Sequence, residues 1–462
     1  VNISLASSPT AQTVVRGAVG FTLATLVFDA SASGEDIRFT SAIVQHNYAV
    51  AADITNCSLY DGTTQLNTGT NIVNPSAAAS AALKDNTFTM DVNLTAPKGT
   101  AKSIDLKCDV SKSGTGDYVQ WTLSSNETFG ATGLTSGPSI TPTVASSSVS
   151  NRMALAASGT FTIALDASSP SVALAQAGQE VTVSKLRLTA TQEDMVVQKV
   201  ALQLSNTASN TPSDLVKLTL WDGATKVGEV TATSSDTGLI ATIGAPYSGL
   251  TVLKGTDKII SVKAQLAAVG LDLVGRPGHL ITVDWDQVAL NGNSATYAVG
   301  GQSSSNVYAS GSDTGSAGVR AVRSYPTVSI LSVPSTSLAD ASQKVIYRYS
   351  VSAPAGGNGV SLYKFVFNVA TSGDDFTATD VVINNLRLFA FTGSNFSGGK
   401  YTSDGQLNNG SNLASASGNN SGVTNAGPRA TSSDFAIYFN PAAPTAAAPE
   451  GISISAGETV YF

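Results

Sequence analysis

Apolar and polar residues alternate with period two through most of this chain, in short bursts separated by Gly, Ser, Pro and Asp. "IRFTSAIV" from Ile37, "MVVQKVALQLS" from Met195 and "VSLYKFVFNVA" from Val360 each place apolar side chains on one face, the pattern of a half-buried β-strand. "NCSLYDGTTQL" from Asn56 and "KLTLWDGATKV" from Lys217 each carry two such strands around Asp-Gly. A tight hairpin turn needs positive φ, which Gly62 and Gly223 adopt without steric cost, so both stretches are predicted hairpins. Helical periodicity is poor. The best amphipathic stretch, "PSAAASAALKDN" from Pro75, is short and lies between strands, so it supports at most a surface helix or an Ala-rich loop.

The bursts recur in a fixed order. "ISLASSPTAQTVVRGAVGFTLATLVFDA" from Ile3, "IALDASSPSVALAQAGQEVTVSKLRLTA" from Ile163 and "SILSVPSTSLADASQKVIYRYSVSA" from Ser329 share a strand, a Ser/Pro turn at Pro9, Pro170 or Pro334, and a closing alternating strand. The three bursts quoted above come next, followed by the Asp-Gly stretches with "NNLRLFAFTGSNF" from Asn384 as a weaker third copy. Last come "LTAPKGTAKSIDLKCDV" from Leu94, "LTVLKGTDKIISVKAQL" from Leu250 and "ISISAGETVYF" from Ile452. The expected fold class is therefore all-β, with three tandem antiparallel immunoglobulin-like β-sandwich domains at 1–145, 154–323 and 325–462. "VASSSVSN" from Val144 is the expected linker between the first two. The third domain has no counterpart of "HLITVDWDQVAL" from His279, so it is read as C-terminally incomplete, with the native chain continuing past Phe462. The expected core side chains include Phe21, Phe28, Trp121, Leu186, Trp285, Tyr347 and Phe365.

Length agrees with the repeat, since 462 residues correspond to about three ordinary domains. A net charge of -7 with scattered Lys and Arg argues against a nucleic-acid partner. No apolar run is long enough for a transmembrane helix, and Val1 does not open a signal peptide, so an exported chain would already have lost its signal. Cys57 and Cys108 are the two cysteines, both in strand-like sequence with no His or further Cys spaced for zinc. They are expected to form a disulfide, worth about 4 kcal/mol for a loop of that size, in an oxidising, extracellular compartment.

Reactive chemistry is scarce. His46 and His279 are the two histidines and read as a strand-surface and a turn residue. No phosphate loop, nucleophile elbow or zinc-protease motif occurs. Asp284 and Asp286, flanking Trp285, offer two carboxylates on one strand face, the minimum for a glycosidase, but such a pair arises readily by accident. No catalytic residue is assigned and no enzyme is expected. Calcium is the one cofactor for which candidates exist, in the acidic Gly loops at Asp236, Asp313, Asp374 and Asp375, none of which completes a known loop pattern. Asn2, Asn56, Asn93, Asn126, Asn395, Asn409 and Asn419 are N-glycosylation acceptor sequences, as many as so Ser- and Thr-rich a chain produces by chance.

With "LASSP", "LYDG/LWDG" and "KGT" repeated in series, the chain resembles the β-sandwich domains of prokaryotic surface-layer (S-layer) and other cell-envelope proteins. The resemblance is one of style and extends over nearly the whole chain. It implies a structural protein on the cell surface whose partners are copies of itself and the cell envelope, assembled as a lattice, in some members through bridging calcium. A pilus or sheath subunit is the same reading with filament symmetry. An adhesin or carbohydrate-binding protein would instead stack sugars on Trp121, Trp221, Tyr247 and Tyr401. An accessory array for a hydrolase domain beyond Phe462 is the remaining reading.

Overall fold

The computed structural model describes residues 1–47, 53–75, 83–124, 129–145, 148–287, 295–337, 343–369, 386–408, 433–439 and 451–462. The protein is all-β: these residues form strands and two short 3-10 turns, with no α-helix among them. Of the Ala-rich stretch after Pro75, residues 76–82 lie outside the described residues, and Lys84 already begins a strand that runs to Ala96.

The first segment has two sheets. One runs, edge to edge, Thr143–Val144, Asn2–Leu5, Phe21–Asp29, Ala101–Val110, Ile54–Asp61, Thr64–Gln65. The other runs Ser139–Ile140, Gly130–Gly133, Ile37–Asn47, Tyr118–Thr122, Met153–Ala156, Gln12–Val15, with Lys84–Ala96 also paired to Ile37–Asn47. Their inward residues, among them Ile3, Leu26, Phe28, Phe39, Leu106 and Trp121, form one hydrophobic core.

The second segment repeats that order. Ser310–Gly311, Thr160–Leu165, Glu180–Thr191, Asp257–Leu266, Leu215–Asp222 and Thr225–Thr231 follow one another as in the first sheet. Met195–Ser205 stands where Ile37–Asn47 stands, paired with Leu280–Trp285, which in turn leads through Val319–Val322 to Ala173–Gln176. Here Thr225–Thr231 also pairs with Leu239–Ile243, so the two sheets join into one continuous ladder around the second core.

The sequence pattern predicts antiparallel sheets, and the structure corrects this at the edges. Asn2–Leu5 runs parallel to Thr143–Val144, and Gln12–Val15 runs parallel to Met153–Ala156. The second segment has the same two parallel contacts, Thr160–Leu165 with Ser310–Gly311 and Ala173–Gln176 with Val319–Val322. The Met153–Ala156 pairing also carries the first segment's sheet past the expected boundary at 145. Ser150, in the expected linker, is buried, and its hydroxyl accepts from Trp121 N–H at 3.0 Å.

In the third segment Thr327–Leu331, Arg348–Ser352 and Thr459–Tyr461 form one sheet, and Phe391 exchanges backbone hydrogen bonds with Tyr461 at its edge. Val360–Leu362 pairs with Ile452–Ile454, and Lys364–Val369 with Ser433–Tyr438. A third, smaller core lies between them. Phe28, Trp121, Leu186 and Trp285 are buried as expected, while Phe21 and Phe365 pack against their cores half-buried. Tyr347 departs from expectation: it precedes its strand and lies exposed on the rim, against Tyr349 and Phe367.

One position separates the third segment from the others. Ile3 pairs with Phe28 and Ile163 with Leu188, both wholly inside their cores. Val328, which occupies the same place opposite Val351, is 56% exposed, and Ile330 beside it is 73% exposed.

Candidate functional site

Carboxylates do structural work at equivalent places in the first two segments. Asp53 and Asp214 each immediately precede the strand that leads to the Asp-Gly turn, and both are buried. Asp53 accepts from Arg16 Nη1 at 2.9 Å and from the Gly116 N–H at 3.0 and 3.2 Å. Asp214 accepts from the Thr211 and Arg276 N–H groups and from His279 Nδ1 at 2.7 Å. A second pair sits in the "GED" and "QED" loops. Glu35 accepts from the Thr135 and Ser136 N–H groups and the Ser136 hydroxyl, which together hold it below the usual carboxylate range. Burial opposes ionisation of Glu193, but N–H groups from Gly159, Gln302 and Ser303 and the Ser303 hydroxyl outweigh it and keep the carboxyl low. Both pairs were missed at the level of sequence, although the aligned acids in "ADIT/SDLV" and "GED/QED" were a signal that could have found them.

The largest concentration of sequence-predicted acids lies on the outer face of the Met195–Ser205 and Leu280–Trp285 strands. Asp284 sits directly opposite Gln203. Its side chain is buried, and neither carboxylate oxygen has a hydrogen-bond partner. Burial pushes this carboxyl above the usual range and the charge of Asp313 adds to the rise, while Ser205, Gln203 and the Ser316 N–H oppose it without reaching bonding geometry. Asp313 accepts both oxygens' bonds from Gln203 Nε2 at 3.0 Å. Asp286 turns to a different loop, accepting from the Gly238 N–H at 2.9 Å, and Asp236 contributes its backbone carbonyl to Leu204. The two carboxylates of the candidate glycosidase pair thus serve separate loops. Among the described residues no three His, Cys, Asp or Glu side chains converge as a metal-binding group. Asp374 and Asp375 lie outside the described residues.

The remaining candidates are dispersed. Cys57 and Cys108 are disulfide-bonded, buried between adjacent strands. By position relative to the Asp-Gly and Lys-Gly-Thr turns they correspond to Leu218 and Ala264, a cross-strand core pair in the second segment. His46 corrects the expectation of a surface residue: it is fully buried, its Nδ1 receiving Asn86 Nδ2 at 2.9 Å and its ring packing against Trp121. His279 is the turn residue expected, engaged with Asp214. Trp121 is buried and offers no face to a sugar. Trp221 lies under Lys263, Tyr247 under Lys226, and the Tyr401 hydroxyl donates to the Ser453 carbonyl. Asn2, Asn56, Asn93 and Asn395 are exposed, whereas Asn126, Asn409 and Asn419 lie outside the described residues.

Successive segments touch through one repeated turn. Gly17 follows the Gln12–Val15 strand so closely against the Gln302 carbonyl that a Cβ there would lie 2.2 Å from the oxygen, and Lys112 Nζ donates to Ser304 at 2.8 Å. The equivalent turn of the second segment brings Gln176 and Gln179 against Gly356.

No family model matches the chain, and no curated protein matches it. Among solved structures, a putative membrane-anchored protein from Corynebacterium diphtheriae aligns over 99% of this chain and 82% of its own at 11% identity and a TM-score of 0.17. The secreted serine protease VesC from Vibrio cholerae aligns over 62% of this chain and 51% of its own, at 10% identity and 0.15. The CsuC–CsuE chaperone–tip adhesion subunit complex from Acinetobacter baumannii aligns over 62% and 99%, at 10% identity and 0.16. Scores this low leave fold and role to be argued from the chain itself. Among the described residues no helix is long and apolar enough to cross a membrane.

Proposed function

We propose that this chain is a structural cell-surface protein, built of tandem immunoglobulin-like sandwiches, that self-assembles outside the cell into an extended array. The observation that carries the reading is the exposed Thr327–Leu331 strand, whose Val328 stands at a position that is core in both other segments. An apolar strand of this kind is a template for pairing with another β-element. The serial turn-to-loop contacts support a stiff string of units, and sparse charge lowers repulsion between identical neighbours. The buried disulfide supports an extracellular setting.

Electron microscopy and light scattering of the full chain over a concentration series test this. Ordered sheets or filaments are expected, and the V328K/I330K double variant is expected to stay dispersed with its first two segments folded. A wild-type chain that remains monomeric at every concentration sinks the proposal.

A further inference from the structure

The repeat supplies an internal control for the buried Asp284. Thr122 pairs with Gln45 and Asp284 with Gln203, matching positions of matching strands, so Thr122 and Asp284 point to the same outer face of their sheets. Met153 and Val319 are equivalent strand starts, so Ser150 and Ser316 correspond as well. In the first segment this place is closed and neutral. Thr122 Oγ1 donates to the Ser148 carbonyl at 3.1 Å, and the Ser150 hydroxyl accepts from Trp121 N–H and donates to the Asn151 carbonyl.

The second segment replaces the hydroxyl donor with an acid, and the nearby Ser205 and Gln203 side chains and Ser316 N–H do not reach bonding geometry to it. Asp284 is 1% exposed with both oxygens unpartnered, and Ser316, 8% exposed, has an unpartnered hydroxyl. Gln203, directly opposite Asp284, draws a second carboxylate, Asp313, onto the same spot. Gly315 passes over the site at a distance where a Cβ would lie 3.5 Å from Asp284 Oδ2. Among the described residues no Lys, Arg or His forms an ion pair with Asp284 or Asp313. Two acids and a hydroxyl, each offering oxygen lone pairs, meet where a buried unpaired charge would cost several kcal/mol.

We infer that a calcium ion binds between Asp284, Asp313 and the Ser316 hydroxyl, at a place that the neutral Thr122 fills in the first segment. Calcium suits the donor set, because it accepts carboxylate, hydroxyl, carbonyl and water oxygens in irregular loop geometry, whereas magnesium requires near-ideal octahedral ligation. The Ser310–Val319 loop would thereby be fastened over the sheet, next to the parallel strand pairing that it leads into.

The full chain, stripped with chelator, is titrated with calcium, magnesium or terbium while its thermal unfolding and Trp-sensitised terbium luminescence are followed. Calcium is expected to raise the unfolding temperature saturably and to displace terbium, with magnesium much weaker. Asp284→Thr, which copies the first segment, is expected to raise stability without metal and to abolish the calcium response. Asp313→Asn, an exposed change that does not threaten folding, is expected to weaken calcium binding by about tenfold or more. No response to calcium overturns the inference, as does an Asp284 that titrates near neutral pH and is held as a neutral acid. A calcium response that survives both substitutions, or is matched by magnesium, overturns it equally.

Discussion

Asn408 makes in the third segment the hydrogen bonds that Asn67 makes in the first. Asn67 Oδ1 accepts from the Leu59 N–H at 2.8 Å, and Asn408 Oδ1 accepts from the Leu388 N–H at 2.7 Å. Each amide nitrogen donates back to a nearby carbonyl, Asn71 or Leu386. Both asparagines close a "QLN" triplet whose leucine, Leu66 or Leu407, is buried and donates its N–H to the carbonyl of Leu59 or Leu388.

Replacing either asparagine with alanine orphans a buried N–H, which costs about 1–3 kcal/mol. N67A should lower the stability of the first segment and N408A that of the third. Hydrogen exchange at Leu59 and Leu388 checks this, each amide accelerating only in its own variant.

The disulfide has a built-in alternative. C57A/C108A is expected to lose about 2–5 kcal/mol in denaturant unfolding. C57L/C108A, which installs the Leu218 and Ala264 pair of the second segment, should recover part of that loss by filling the same space with apolar atoms.

Arg16 and Asp53 form a buried pair with backbone support from Gly116. D53A strands the guanidinium inside the fold, so a loss of about 3–5 kcal/mol is expected from chemical denaturation of the first segment. R16A should cost a similar amount, and the double variant less than the sum.

Stability should fall in acid. The folded carboxyls of Glu35 and Glu193 lie below their unfolded value, and that of Glu229, hydrogen-bonded by Lys226, falls to about 2. A depressed folded pKa means stabilisation that is complete above about pH 4.5 and lost as pH drops through the folded values. The unfolding temperature is expected to be level from pH 7 to about 5 and to decline below that. E193Q should cost about 2–3 kcal/mol at pH 7 and much less at pH 3, since an amide cannot accept all the N–H groups that converge on this carboxylate.

Period-two alternation made the strands legible, and Asp-Gly with Lys-Gly-Thr located the turns that align the copies. Alternation states which face of a strand is apolar but not which distant strand lies beside it, so the parallel edge pairs at Asn2–Leu5 and Gln12–Val15 were invisible. Met153–Ala156 was hidden for a related reason, because a short strand after a Ser-rich stretch reads as linker. His46 was misplaced because its neighbours alternate cleanly, and only the pairing with Asn86 and Trp121 brings its face inside. Asp284 was noticed for the wrong partner. Its distinction is a missing donor, which depends on how the Asp313–Ser316 loop closes and cannot be read from spacing.

The parallel pairing of Gln12–Val15 with Met153–Ala156, repeated at Ala173–Gln176 with Val319–Val322, has a mechanical meaning. These strands lie near opposite ends of their segment and point the same way, so a pull along the polypeptide slides one past the other. All the rungs between them then bear load together and must break at once, whereas an antiparallel hairpin under the same tension would unzip rung by rung. Each of the first two segments is thus latched against stretching by its own second and last strands.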